Sequence, residues 1–197
     1  MIALNVPCGK IETYKVLSTH IKENEVMSLR TIMIFPKFKD MDIIDDIRDR
    51  FDPLAKLVRP HITLVFPFEV DMSNEEIERV LDNRLSEIAP FDLEMHGFKK
   101  QAEEFGNYLF LDVTKGKDVI TKIHDILYAN EFKVCDKGFV YDPHMTVGKV
   151  ETTLILDEAY EEIKDIDNVF SCKVDTISVE MIGPNEESIV VIEKKLS

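Results

Sequence analysis

Two histidines and two threonines stand at matched positions in a phrase that the chain uses twice, Pro60-His61-Ile62-Thr63-Leu64 and Pro143-His144-Met145-Thr146-Val147. The copies lie 83 positions apart. Alternate side chains of an extended strand face the same way, so His61 and Thr63 share one face and Ile62 and Leu64 the other. His144 and Thr146 separate from Met145 and Val147 identically. An imidazole titrates near neutral pH, so one of two such rings can accept a proton while the other donates one.

A phosphodiester needs both acts. Attack by water or a ribose hydroxyl calls for a base, departure of the other oxygen calls for an acid, and each contributes roughly 10²–10⁴-fold. The phosphoryl oxygens gain charge in the transition state, where fixed donors stabilise them. Each Thr hydroxyl lies one strand repeat from its His, about 6.5–7 Å along the backbone, so one phosphate can touch both. A lone strand histidine is more often structural. A matched pair inside a duplication reverses that expectation, and His20, His96 and His124 lack the context.

The elements that must position these residues also recur. Residues 31–36 read as a buried strand, and Ile43, Ile44, Ile47 and Phe51 fall at helical spacing. The first motif occupies a strand over 61–68. Ser73 or Asn74 then caps a helix running to about Ile88, with Glu75 and Glu76 at its positive end. A strand near 91–98 leads through a polar turn, Lys99 to Asn107, into another at 108–114. The segment Asp118–Asp125 matches Asp42–Asp49 at five chemically similar positions, and both precede a motif strand. A helix over 156–166, capped by Asp157, mirrors the one at Asn74. Strands near 172–182 and 188–194, joined at Gly183-Pro184-Asn185, close the chain. This is a duplicated β-α-β-α-β unit, expected to bring equivalent strands to one central cleft. Residues 1–28 lie outside the repeat, with a candidate helix over 11–23.

The paired motif in a duplicated chain of this length resembles the two-histidine phosphoesterase superfamily, and within it the bacterial 2′-5′ RNA ligase-like proteins. Phe51-Asp52-Pro53 and Pro67-Phe68-Glu69 around the first motif extend the likeness, which covers about residues 29–195. It implies one α+β domain over 1–197: an extension (1–28), a first lobe (about 29–107) and a pseudo-symmetric second lobe (about 108–197). Largely antiparallel sheets would surround the cleft, with helices outside and strands exchanged between lobes. It further implies metal-independent, cofactor-free hydrolysis or transesterification of small RNA-derived phosphodiesters, such as 2′,3′-cyclic phosphates or 2′,5′ linkages. His61 and His144 would be catalytic, and Thr63 and Thr146 would bind phosphate. Several relatives carry a basic residue two positions after the first Thr, where this chain has Val65.

Arg59, two residues before His61, is the candidate replacement, and Asp142 holds the equivalent place before His144. Their opposite charges either favour a neutral His61 as base and a protonated His144 as acid or are ordinary surface charges. Tyr141 is placed to stack on a base, contact phosphate or cover the rim.

Composition narrows the partners. A net charge of −14 without a dense Lys/Arg block argues against long duplex nucleic acid and for a small nucleotide or RNA-end substrate. No apolar run reaches the roughly 20 residues of a membrane span, and no signal-peptide pattern opens the chain. Cys8, Cys135 and Cys172, without CxxC spacing, suit reduced thiols in a cytoplasm. Asp45, Asp46, Asp49 and Glu75, Glu76, Glu78 read as solvated helix faces, not metal ligands. Two function classes lead on the sequence, a phosphodiesterase and a module that binds phosphorylated nucleotides or RNA ends without turnover, with a metal-dependent hydrolase, which EDTA would inactivate, third.

Overall fold

The computed structural model describes residues 29–69, 71–136, 138 and 140–197. The N-terminal extension, with its candidate helix, lies outside the described residues. Along the chain run β1 (Arg30–Ile34), α1 (Met41–Phe51), β2 (Ile62–Phe68), α2 (Asn74–Arg84), β3 (Phe91–Glu103) and β4 (Gly106–Lys115). They are followed by α3 (Lys117–Tyr128), β5 (His144–Val150), α4 (Thr153–Ile163), β6 (Phe170–Val174), β7 (Thr176–Ile182) and β8 (Ser188–Lys195). This is an α+β fold built on one antiparallel sheet, ordered β6-β3-β4-β5-β2-β1-β7-β8.

The duplication is visible in that order. The two motif strands, β2 and β5, lie side by side at the centre, flanked by the strands that begin each repeat, β1 and β4. The third strand of the first repeat, β3, pairs with β4 of the second, while β7 pairs with β1. Each half of the sheet therefore contains a strand from the other repeat. The helices cross over too: α1 packs on β5 and α3 on β2. Their buried residues, Ile44 and Ile47 in α1 and Ile120, Ile123 and Leu127 in α3, are the apolar stripes that spacing predicts.

Local chemistry places most boundaries. Ser73 caps α2 in a capping box, its hydroxyl accepting from Glu76 N while the Glu76 carboxylate accepts from Ser73 N. Three expectations are corrected. The last helix begins before Asp157: the Thr152 hydroxyl accepts from Ile155 N, and the Asp157 carboxylate instead meets Lys100 at 2.5 Å. The turn expected over Lys99–Asn107 shrinks to Glu104-Phe105, because the β3–β4 ladder continues to Glu103 opposite Gly106. A backbone irregularity between Met95 and Phe98, where Gly97 adopts φ +84°, shifts the inward–outward alternation and hides the strand's continuation from a period-two reading.

The strand expected over 172–182 divides at Asp175. Its halves, β6 and β7, belong to opposite ends of the sheet order, yet one residue joins them. The sheet must therefore curl until its ends approach, and Phe38, after β1, packs on Phe170 of β6 across that closure. The core fills the space between the sheet and its outer helices. Among the described residues no helix is long and apolar enough to cross a membrane.

Phe68 anchors this core, fully buried with its ring 4.8 Å from that of Phe132. Phe68→Ala should lower unfolding free energy by about 3–5 kcal/mol in urea denaturation. A loss under about 1 kcal/mol would mean the site collapses without a cavity.

Candidate active site

β2 and β5 meet at a single register pair, Ile62 opposite Met145. Antiparallel pairing at that point sets His61 across from Thr146 and Thr63 across from His144. Ile62 and Met145 are fully buried beneath the helices, whereas the two histidines and two threonines are half-buried on the opposite, inner face. The four residues singled out by the repeated phrase are thus brought together at the seam between the halves.

Each imidazole is oriented by the backbone just before it. His61 Nδ1 lies 2.8 Å from the Arg59 carbonyl oxygen, and His144 Nδ1 lies 2.7 Å from that of Asp142. A carbonyl only accepts, so each Nδ1 carries the hydrogen and each Nε2 is left for chemistry. The buried prolines Pro60 and Pro143 hold the preceding residue extended, which lets the carbonyl reach around to the ring. The same local device serves both motifs.

Both motif strands also carry a bulge just after the Thr. The β1–β2 register shifts between the Ile32–Val65 and Met33–Thr63 pairs, and the β4–β5 register shifts between Leu109–Gly148 and Phe110–Thr146. Consecutive residues then face the core: Leu64 and Val65 in β2, Val147 and Gly148 in β5. Val65 is 0% exposed, so its position does not open onto the site at all. At Gly148 a Cβ atom would sit 3.0 Å from Phe51 Cβ, the close approach that lets α1 lie on β5.

The charges around the two rings differ. Arg59 contributes its carbonyl to His61, while its guanidinium lies over the Phe35 ring at 4.0 Å. The cation that acts on His61 is instead Arg48, at the end of α1, with Asp52 opposing it more weakly. Burial is the dominant influence and holds His61 below the usual histidine range, with Arg48 pushing the same way. Burial also lowers His144, offset by the Asp142 carbonyl and by the carboxylates of Asp142 and Asp112, with Lys99 adding to the lowering. Lys99 spans Asp112 at 2.7 Å and Asp142 at 3.4 Å, and Lys117 meets Asp142 at 2.5 Å. These bonds hold the Asp142 carboxyl low and the Lys99 ammonium high. Lys99 escaped the sequence reading because it was assigned to a turn.

Tyr141 is a structural clamp between the motifs. Its hydroxyl donates to the Thr63 carbonyl oxygen at 2.7 Å, and its ring stacks on His124 at 3.8 Å. Burial raises its phenol well above the ordinary value. Tyr128 extends the cluster, its hydroxyl accepting from Phe66 N. Beyond the single register pair β2 and β5 part, and these hydroxyls satisfy backbone groups along the opening. On the other side of His144, Phe110 lies 4.0 Å from the imidazole and stacks at 5.6 Å on Tyr108, an aromatic row that alternation along β4 places on the inner face. His96 pairs with Asp167, away from the seam.

Comparison with known proteins follows the same outline. The family model of the 2′-5′ RNA ligase superfamily matches residues 36–181. A protein of Geobacillus kaustophilus, provisionally named a phosphoesterase, is 30% identical over 147 residues, covering 73% of this chain and 82% of its own. A Halalkalibacterium halodurans protein with the same provisional name is 29% identical over 141 residues, covering 68% and 73%. Among solved structures, E. coli LigT complexed with 3′-AMP superposes with a TM-score of 0.56 at 14% identity, covering 86% of this chain and 98% of LigT. Kluyveromyces marxianus Usb1 gives a TM-score of 0.51 at 10% identity, covering 83% and 97%. These two likenesses are of fold.

Two outcomes follow from the geometry. Tyr141→Phe removes the donor to Thr63 O and should cost about 1 kcal/mol in urea unfolding; an unchanged midpoint would mean water replaces the hydroxyl fully. Both histidine pKa values are depressed in the fold, so below the unfolded value near 6.5 the unfolded chain binds protons first. Stability should fall as pH drops from about 7 toward 5, and the His61→Gln/His144→Gln double variant should lose less over that interval. Equal losses in the two proteins would contradict the burial account.

Proposed function

The chain belongs to the 2′-5′ RNA ligase superfamily, and from that premise we propose that it is a metal-independent phosphodiesterase using His61 and His144 as its acid–base pair. The observation that carries this reading is the shared anchoring of both rings, each with Nδ1 tied to the carbonyl two residues back and no hydrogen-bond partner to Nε2 among the described residues. A phosphate between the motif strands would meet the Thr63 and Thr146 hydroxyls as donors to its non-bridging oxygens. One Nε2 removes the proton from the attacking oxygen as the new P–O bond forms. The other Nε2–H protonates the leaving oxygen as the old P–O bond breaks.

The substrate class proposed is a small RNA-derived phosphodiester, a 2′,3′-cyclic phosphate or a 2′,5′ linkage. The net charge of −14 supports a short ligand over a long polyanion. Tyr108, half-buried beside Phe110, offers a base an aromatic surface to rest on. Nucleotides have been seen on structural neighbours, 3′-AMP and ATP on LigT and uridine monophosphate on Usb1, and they support the same size class here. We place the activity in the cytoplasm, a reading supported by cysteines without CxxC spacing, a pattern that suits reduced thiols.

The test is turnover of 2′,3′-cyclic nucleotides and 2′,5′-linked dinucleotides by purified protein in EDTA. His61→Ala and His144→Ala should each lower kcat by about 10²–10⁴-fold, and the wild-type profile should be bell-shaped in pH. Thr63→Val and Thr146→Val should cost less, roughly tenfold or more each. Wild-type turnover no faster than that of the double histidine variant would leave a binding module as the better account.

A further inference from the structure

The two repeats differ in how a strand passes into its helix. In the second, Gly116 alone separates β4 from α3, in a left-handed conformation with φ +87°. A Cβ atom there would lie 2.7 Å from the Asp92 carbonyl oxygen, so the crossing is pressed against β3. In the first repeat, residues 35–40 join β1 to α1. A cavity of about 460 Å³ opens between that longer linker and residues 55–60, which lead into the first motif. Its volume falls in the range of small-molecule sites.

The cavity reaches the motif itself, since Pro60, Arg59 and Phe35 all line it. Ile34 pairs with Ile62, so Phe35 and His61 are neighbours at the ends of the two strands. Their rings meet edge-on with centroids 6.2 Å apart, and the Arg59 guanidinium covers the Phe35 ring at 4.0 Å. Beyond this wall Phe38, Met41, Leu57 and Val58 contribute apolar surface. Lys37 and Lys56 are exposed lining residues, and the lining carboxylate is Asp45. Lys56 is already engaged by Asp49 at 2.6 Å. Lys37 and Arg59 form no ion pair among the described residues, and act at longer range on Asp175 and Glu180.

Apolar walls ending in a ring and a guanidinium suit a nucleobase, which stacks on either surface. Two cations without a carboxylate partner, on a chain of net charge −14, suit an anion. We propose that this cavity is a nucleotide subsite on the His61 side of the seam, holding the base of one nucleoside unit and, at Lys37 and Arg59, a second phosphate carried by that unit. Because it is built by a linker that the second repeat lacks, the subsite gives a duplicated site a direction. It sets which group on the reacting phosphate lies beside His61. The favoured ligand is one that continues past the reacting phosphate to another, as a nucleoside bisphosphate or an oligonucleotide end does.

The subsite rests on the reading that a phosphate occupies the seam, and the test separates the two. The probes are a nucleoside 3′-monophosphate and the matching nucleoside 3′,5′-bisphosphate, titrated into the full chain by calorimetry and by NMR. The bisphosphate should bind about tenfold tighter or more at low salt, with signals moving in residues 35–41 and 55–60 and at both seam histidines. Lys37→Gln and Arg59→Gln, both at exposed side chains, should each reduce that affinity ratio by about threefold or more. Lys39→Gln, on the same linker but outside the cavity lining, should leave the ratio as it is. A wild-type ratio near one would overturn the subsite. So would a ratio insensitive to Lys37→Gln and Arg59→Gln, an equal loss in Lys39→Gln, or unmoved signals in both segments. Movement in those segments with His61 and His144 unmoved would refute the phosphate reading of the seam and leave the cavity as a nucleotide site in its own right.

Discussion

The site depends on one contact between strands, the antiparallel pairing of Ile62 with Met145 at the centre of the sheet. Strand geometry fixes the rest. With those two side chains turned into the core, the flanking His and Thr of each motif must turn the other way. A one-residue slip would exchange the faces and bury all four polar groups, so the register is held by the apolar residues as firmly as by hydrogen bonds. Beyond the pair the strands part, and the Tyr141 and Tyr128 hydroxyls take up the backbone groups left there.

The duplication supports that contact from both sides. Each motif strand carries the helix of the other repeat, α1 on β5 and α3 on β2, so neither half has an independent core. The bulges after Thr63 and Thr146 recur, as do the carbonyl anchors on Nδ1. What differs lies one layer back. The buried Arg48–Asp52 pair lies at the end of α1, and the His124–Tyr128 ring pair takes the matching place in the other repeat.

The motif strands, their faces and the helices before them were legible because periodicity records burial directly. The repeated phrase pointed to the candidate site for the same reason, since His and Thr at alternate positions can only share a face. Lys99 was missed because the irregularity at Gly97 breaks the alternation on which strand recognition relies. Val65 drew notice because several relatives of the resembled family carry a basic residue there, and the bulge that turns it into the core is invisible to a period-two count. The cation acting on His61 was sought beside the motif, at Arg59, and found on α1. Arg48 sits 13 positions upstream, in a helix whose polar residues otherwise read as a solvated face. Only packing brings it there. The split at Asp175 was invisible for a similar reason, since a strand that changes from one half of a curled sheet to the other looks continuous in sequence.

The central claim is that one phosphate is held by both motifs at once. A crystal structure of the protein with a nucleoside monophosphate product tests it most directly. The account predicts the phosphorus at the β2–β5 seam, with its oxygens within about 3 Å of both Nε2 atoms and both Thr hydroxyls. A phosphate bound to one motif alone, or away from the seam, would contradict it.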